Sequence, residues 1–512
     1  VLFLILRSGF DGLYGQDAFA YFDYAVGPLR RALPAGEWPP PFFWPPGYPL
    51  LVALASLVLG PVPAAGQMVS LVAGALVPLF TVLIARELMP EREYEDGERR
   101  HRSQPADAGK TPALQARAPV ALLAGLLVAA NGQLWQSSAV VMSDTTALLA
   151  ATAGVWALLR YGRGRGPGWL WLAAAAVAFA VLTRWAYALL AIPCAAYALV
   201  VLWRRPRRAA VWHAAGAVLL ALLVLSPVIR AAWLAGQGGD ARFLGNFAVY
   251  SWHPLNALRR EFVTAGDGLL SYDWPNGLYY ALAPGHRYYF TPLLAPLLLP
   301  GVWAMGRQKR RAAAFLLLAW AALIYDFHAG APYQNFRFTL AYLPPLAIFA
   351  ALGAGWLLRR LPRALSALLP LALLAGLLWM VAGGYTLTGD FMARKAADLD
   401  TVRWVEQQAE LETQPETQPG VRLFTFNITF TFQRYSRLET HDLYFLTPEE
   451  MSRLLAQGGP GYVLVDVENV LGQWAGRAPE DNLAWLQQNV GLEPLGRHRQ
   501  YTLFRLQQGS GP

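Results

Sequence analysis

The chain has 512 residues, 55% hydrophobic and only 15% charged, with a mean hydropathy of +0.31. A soluble domain carries about a quarter charged residues, so the composition excludes an ordinary soluble globular protein. The single cysteine, Cys194 in an apolar stretch, excludes a disulfide framework or a cysteine metal site within the chain. The net charge of +9 comes mostly from arginines at the ends of apolar runs and is no nucleic-acid signal.

In chain order, VLFLILR at residues 1–7 is too short to span a bilayer, which takes roughly 20 residues. It reads as the outer end of a truncated first transmembrane helix. GQDAFAYFDYA, Gly15 to Ala25, follows with two carboxylates, Asp17 and Asp23, among aromatic rings. The apolar run Tyr48 to Leu59 is also short and reads as an interfacial or re-entrant helix. Candidate spans then lie at roughly 66–85, 118–140, 145–160, 168–183, 186–203, 210–234, 291–306, 312–328, 338–358 and 364–386. With the first, that predicts about eleven transmembrane helices.

Short loops rich in Lys and Arg stay cytoplasmic. Basic clusters occur in the loop Arg86 to Arg117, at Arg160, Arg163 and Arg165, and at Arg204, Arg205, Arg207 and Arg208. Two more follow, at Arg307, Lys309, Arg310 and Arg311 and at Arg359, Arg360 and Arg363. These fall at every second loop, so one orientation satisfies them all. It places the loops 7–65, 141–145, 184–186, 236–290 and 329–337, and the tail, outside the membrane. The chain thus divides into a transmembrane domain, 1–386, and a soluble extracytoplasmic α/β domain, 387–512.

In that tail, Asp398–Leu411 reads as helix and Val421–Phe430 as β-rich. Pro448–Ala456 reads as a helix capped by Thr447. Tyr462–Val467 is a buried strand, Asp481–Val490 a helix and Tyr501–Leu506 a last strand, with Glu412–Gly420 a loop. Asn427-Ile428-Thr429 matches a glycosylation sequon, a pattern common by chance.

The expected topology brings four polar residues to one outer level: Asp17, Asp144 in VVMSDTTALLAA, Arg184 in AVLTRWAYALL and Arg337 in APYQNFRFTLAYLPPLAIF. Acids and isolated arginines at the edge of an apolar bundle point to a polar site between helices. The bland readings are a solvated loop acid for Asp17, an N-cap for Asp144 in competition with Ser143, and snorkelling anchors for the arginines. His253 and His286 read as structural or solvated. Their pairing with Asp17 and Asp144 to hold a divalent cation is chemically possible, but no spacing demands it, and no cofactor is certain.

An acid soon after the first span, PPGYPLL, SDTTALL, LTRWAYALL and FRFTLAYLPPLA follow one another in an order that resembles the C-superfold membrane glycosyltransferases. The likeness is to bacterial relatives of the protein O-mannosyltransferases and the aminoarabinose transferases (glycosyltransferase family 39-like). It implies sugar transfer, at the outer face of the cell membrane, from a polyprenyl-phosphate sugar to a lipid, glycan or protein acceptor. By motif position the catalytic base is Asp17. The family often has an adjacent acidic pair there, whereas Asp17 is flanked by Gln16 and Ala18, so Asp11 and Asp23 compete.

Chemistry points the same way. A phosphate leaves readily, so the reaction needs a base for the acceptor and cations for the phosphate, which the arginine fork suits. Attack opposite the phosphate inverts the anomeric centre. The alternative reading is a lipid or sugar transporter or flippase. Such proteins often carry internal repeats and mid-span polar residues, neither of which is evident here.

Overall fold

The computed structural model describes residues 1–88, 117–238, 251–307, 311–409 and 421–507. Most of the basic loop 86–117, part of the loop 236–290, Lys309, Arg310 and the loop Glu412–Gly420 lie outside the described residues. The chain forms two compact units. The first comprises Val1–Leu13, Ala20–Leu258 and Trp274–Gly389; the second comprises Tyr14–Phe19, Arg259–Asp273 and Asp390–Pro512.

The helices begin with α1 (Leu2–Ser8), α2 (Gln16–Tyr24), α3 (Arg30–Ala35), α4 (Gly47–Leu59) and α5 (Pro63–Leu88). They continue with α6 (Arg117–Ala129), α7 (Gly132–Ala139), α8 (Asp144–Gly162), α9 (Gly168–Thr183), α10 (Ala188–Leu202) and α11 (Arg207–Gly236). Then come α12 (Asn276–Leu282), α13 (Leu298–Gly306), α14 (Arg311–Gly330), α15 (Leu343–Arg360) and α16 (Arg363–Gln408). Among the described residues, six helices are long and apolar enough to cross a membrane, or seven if a bent pair counts as one span. That composition and the fold described below make this a multi-pass membrane protein.

The bent pair is α6 and α7, which meet at 54° where one straight span, 118–140, was expected. Asn131 causes the break. Its backbone is extended, and its side chain accepts the Leu134 N–H at 2.9 Å, capping a new helix. The expected span 291–306 is likewise divided into short helical turns before α13.

The first unit's core gathers Trp320, Tyr289, Phe290, Phe349 and Leu343 from α14, α15 and the segment before α13. Helices α13 and α15 cross with bare backbones touching. A Cβ on Gly301 would strike the Phe349 carbonyl, and one on Gly353 the Leu297 carbonyl. Small residues at a crossing let helices approach closely without relying on hydrophobic expulsion. At the end of α8, the buried Glu87 meets Arg163 at 2.6 Å and Arg160 at 3.5 Å, so part of one basic cluster is structural.

The second unit contains a hairpin, β1 (Glu261–Thr264) and β2 (Gly268–Ser271), and an α/β domain. The latter runs β3 (Arg422–Thr425), α17 (Thr429–Tyr435), β4 (Glu439–Asp442), α18 (Pro448–Ala456), β5 (Gly461–Val465), α19 (Val467–Gly472), α20 (Ala478–Asn489), β6 (Leu492–His498) and β7 (Tyr501–Leu506). The sheet order is β4-β3-β5-β7-β6; β3, β4 and β5 are parallel, while β7 runs antiparallel to its neighbours β5 and β6. Strands β3 and β5 are buried at every residue, as strands covered on both faces must be. Leu423 and Leu464 pack with Val402 and Val405 of α16 on one face; Phe424 and Val463 pack with Met451 and Leu486 on the other.

Three tail expectations are corrected. The helix expected from Asp398 is the end of a continuous 46-residue α16; the glycines at 383, 384 and 389 each cost only about 1 kcal/mol in a helix and do not break it. The β-rich stretch after Val421 is a strand only to Thr425, because Asn427, at φ 67°, turns the chain into α17. The strand expected to reach Val467 ends at Val465, because Asp466 caps α19 by accepting the Asn469 N–H at 3.0 Å. The Thr447 cap is present as a full capping box with Glu450.

Candidate active site

Two helix boundaries in the first unit create the polar centre. Asp144 is the first residue of α8 and is 4% exposed. Ser143 stands at the N-cap position without making a side-chain cap bond, so neither residue serves as an ordinary cap. Arg184 follows the last residue of α9 in an extended conformation, before the 3-10 turn Trp185–Tyr187. The break frees its side chain from the helix surface. Arg184 Nη1 lies 2.6 Å from Asp144 Oδ1, while Asp144 Oδ2 has no hydrogen-bond partner among the described residues.

Arg337 lies in a second break, the 3-10 helix Phe336–Tyr342, where the Asn335 side chain accepts the Arg337 N–H at 3.1 Å. Its Nη1 is 2.8 Å from Met142 Sδ. Arg184 and Arg337 share a platform: their guanidinium carbons lie 5.2 Å and 5.4 Å from the Phe338 ring centroid. His328, fully buried, stacks on the same ring at 4.7 Å. The structure therefore brings Asp144, Arg184 and Arg337 together.

The loop before Asp144 is held by residues the sequence reading passed over. Val141 N–H donates to Gly12 O at 2.9 Å, Ser70 Oγ donates to Met142 O at 3.2 Å, and the Tyr48 hydroxyl lies 2.9 Å from Ser70 Oγ. Gln67 Nε2 donates to Phe10 O and Ala139 O. Tyr21 and Ser143 hydroxyls are 3.2 Å apart. The available signal was Gln67 and Ser70, polar residues one turn apart in an apolar helix.

Asp17 stands in the first turn of α2, half-buried, and belongs to the second unit. Its competitors belong to the first. Asp11 closes a local turn by accepting the Leu13 N–H at 3.0 Å, and Asp23 is exposed on α2. His286 packs 5.0 Å from Phe336, and burial with neighbouring Arg287 holds it below its ordinary pKa. Among the described residues, no three His, Cys, Asp or Glu side chains form a group that could hold a metal ion.

An apolar cavity of about 340 Å³ opens in the same unit, walled by Trp38, Phe42, Trp44, Leu50 and Val228. Arg230 lies over the Trp38 ring at 5.0 Å. Leu182 and Trp185, which flank Arg184 closely in the chain, also line it.

Residues 114–230 match the family model of dolichyl-phosphate-mannose-protein mannosyltransferases; Asp144 and Arg184 fall inside that match, Asp17 and Arg337 outside it. No curated protein matches the chain in sequence. Among solved structures, ArnT from Cupriavidus metallidurans bound to undecaprenyl phosphate is similar with a TM-score of 0.60 at 15% identity, covering 100% of this chain and 97% of that one. The apo state of the same ArnT gives 0.60 and 15%, over 98% and 96%. The chain therefore has the fold of ArnT, with a mannosyltransferase-family signature over residues 114–230.

Proposed function

We propose that the protein transfers a sugar from a polyprenyl-phosphate donor to an extracytoplasmic acceptor. The observation that carries this reading is the pair of guanidiniums gathered on Phe338 beside the buried Asp144. A bound phosphate matches the planar fork of each guanidinium. The apolar cavity suits the lipid part of the donor, since its wall includes Leu182 and Trp185 on either side of Arg184. Arg184 and Arg337 bind the phosphate in this reading, and Asp144 holds Arg184 in place.

Asp17 is the general base by its position in the motif, and direct displacement inverts the anomeric centre. The donor-binding face and the second unit are extracytoplasmic, with about eleven spans within 1–386 and a soluble domain over 387–512. The likeness to a fold known with undecaprenyl phosphate bound supports the donor class. Purified protein in liposomes tests it. Radiolabelled sugar should move from a polyprenyl-phosphate sugar to acceptor, and only with the lipid-linked donor. Lipid or sugar crossing the bilayer without transfer would favour a transporter and reject this reading.

A further inference from the structure

The second unit holds a cavity of about 270 Å³ that the donor chemistry does not use. Its place in the sheet is informative. From β3 the chain passes through α17 to β4 on one flank; from β5 it passes through α19 and α20 to β6 and β7 on the other. Connections thus diverge between the carboxyl ends of the parallel strands β3 and β5. Open α/β sheets bind ligands at such a divergence. The cavity is lined by the loop after β3, by Asp442 and the residues after β4, and by Trp474 after α19.

We propose that this cavity is a carbohydrate-binding site that takes one neutral pyranose ring. Its walls are aromatic: Phe430, Tyr444, Phe445 and Trp474 all face it. Tyr444 and Trp474 are held in place. Tyr444 packs edge-on against Trp474 at 5.6 Å and against Phe445 at 4.9 Å, and its hydroxyl donates to Ala265 O at 3.1 Å. The apolar face of a sugar ring lies well on such a surface. Asp267, Asp398, Asp442 and Asn427 supply the polar groups that hydroxyls need, the Asn427 amide N–H also donating to Asn469 Oδ1 at 3.0 Å. None of the described residues lining the cavity is Lys or Arg, so a phosphate is disfavoured.

Asp442 accepts the Tyr444 N–H at 2.9 Å and is hydrogen-bonded to the Thr429 side chain, which together orient its carboxylate. Burial pushes Asp442 above the usual carboxylate range and Asp398 up to about 6. The volume is near the lower end of ligand pockets, roughly 300–1,000 Å³, and suits one ring better than an extended chain. Assigning that ring to the acceptor glycan rests on the transfer function proposed above; the binding itself does not.

The test uses the full chain in nanodiscs free of glycoside detergents. Saturation-transfer NMR is read with methyl glycosides of glucose, mannose and galactose, and with n-butylamine as a cationic control. At least one glycoside should bind. Phe445→Ala, an exposed ring outside the core, should weaken it about fivefold, and Asp442→Asn should do the same. No glycoside binding, equal binding in both cavity variants, or binding of the amine alone would overturn the proposal. Glycoside binding in a protein that transfers no sugar would remove the acceptor assignment and leave the site; transfer without glycoside binding would remove the site and leave the transfer function.

Discussion

Arg184 and Asp144 meet at 2.6 Å because one ends a helix where the other begins one. Asp144 is buried and Arg184 mostly so, and removing one side of such a pair typically costs about 3–5 kcal/mol. Asp144→Asn should lower the thermal stability of the purified protein clearly. Arg184→Ala combined with Asp144→Asn should cost less than the two single changes added together. A thermal double-mutant cycle with no coupling would mean that the pair does not act as a unit.

Arg337 should matter for the donor more than for stability. A hydrogen bond to a charged group contributes about 1.5–3 kcal/mol, so Arg337→Ala should weaken polyprenyl-phosphate binding roughly 10- to 100-fold. Arg337→Lys should restore only part, since lysine lacks the fork. Direct measurement of lipid-phosphate binding checks this. Unchanged affinity in Arg337→Ala would make the residue an anchor.

Asp17→Asn keeps shape and removes basicity. Turnover should fall at least about 10²-fold, as for loss of a general base, with donor binding retained. Asp23→Asn should be mild, because Asp23 is on the exposed side of α2. Full turnover in Asp17→Asn, or loss only in Asp23→Asn, would assign the base elsewhere.

Orientation can be read with single cysteines at Gly238, Gln457 and Gly306. The arginine pattern expects the first two to react with an impermeant thiol reagent outside the cell and the third not to. Outside labelling at position 306 would invert the proposed topology.

Asp398 gives a pH signature. Burial raises its folded-state pKa to about 6, with Arg499 opposing, against 3.8 for an ordinary carboxyl. The folded form then binds more protons between those values, so stability should fall as pH rises from about 4 to about 6 and level off above. Asp442 is shifted in the same direction. Asp398→Asn should flatten that slope and raise the melting temperature at pH 7 by roughly 2–4 °C, with little effect at pH 4. An unchanged slope, followed by circular dichroism, would show that Asp398 is not the titrating group.

What could be read from the sequence divides by the range of the interactions involved. The Thr447 cap is local chemistry, with Glu450 three residues on, and was legible. So were Tyr501–Leu506, an alternating strand, and the apolar helices. Strand β4, Glu-Thr-His-Asp, is polar and becomes a strand only through its parallel register with β3; no local pattern marks it. The break at Asn131 was legible only by weighing Asn-Gly and the polar Gln133, Gln136, Ser137 and Ser138 above the apolar residues on either side. Arg184, Arg337 and Asp144 were legible as polar residues at one level of an apolar bundle. The Arg184–Asp144 pair and the meeting of the two arginines on Phe338 were not, because they depend on where two distant helices break.

The crossing of α13 and α15 has a mechanical meaning. Gly301 on α13 meets the Phe349 carbonyl of α15, and Gly353 on α15 meets the Leu297 carbonyl just before α13, so the joint is pinned at two points. A single pin permits pivoting; two prevent both rotation and a slip of one turn. Because both contacts are backbone against backbone, no rotamer change can relieve them. Even Ala at either position would wedge the pair apart, so the register of these two helices behaves as a fixed constant of the bundle.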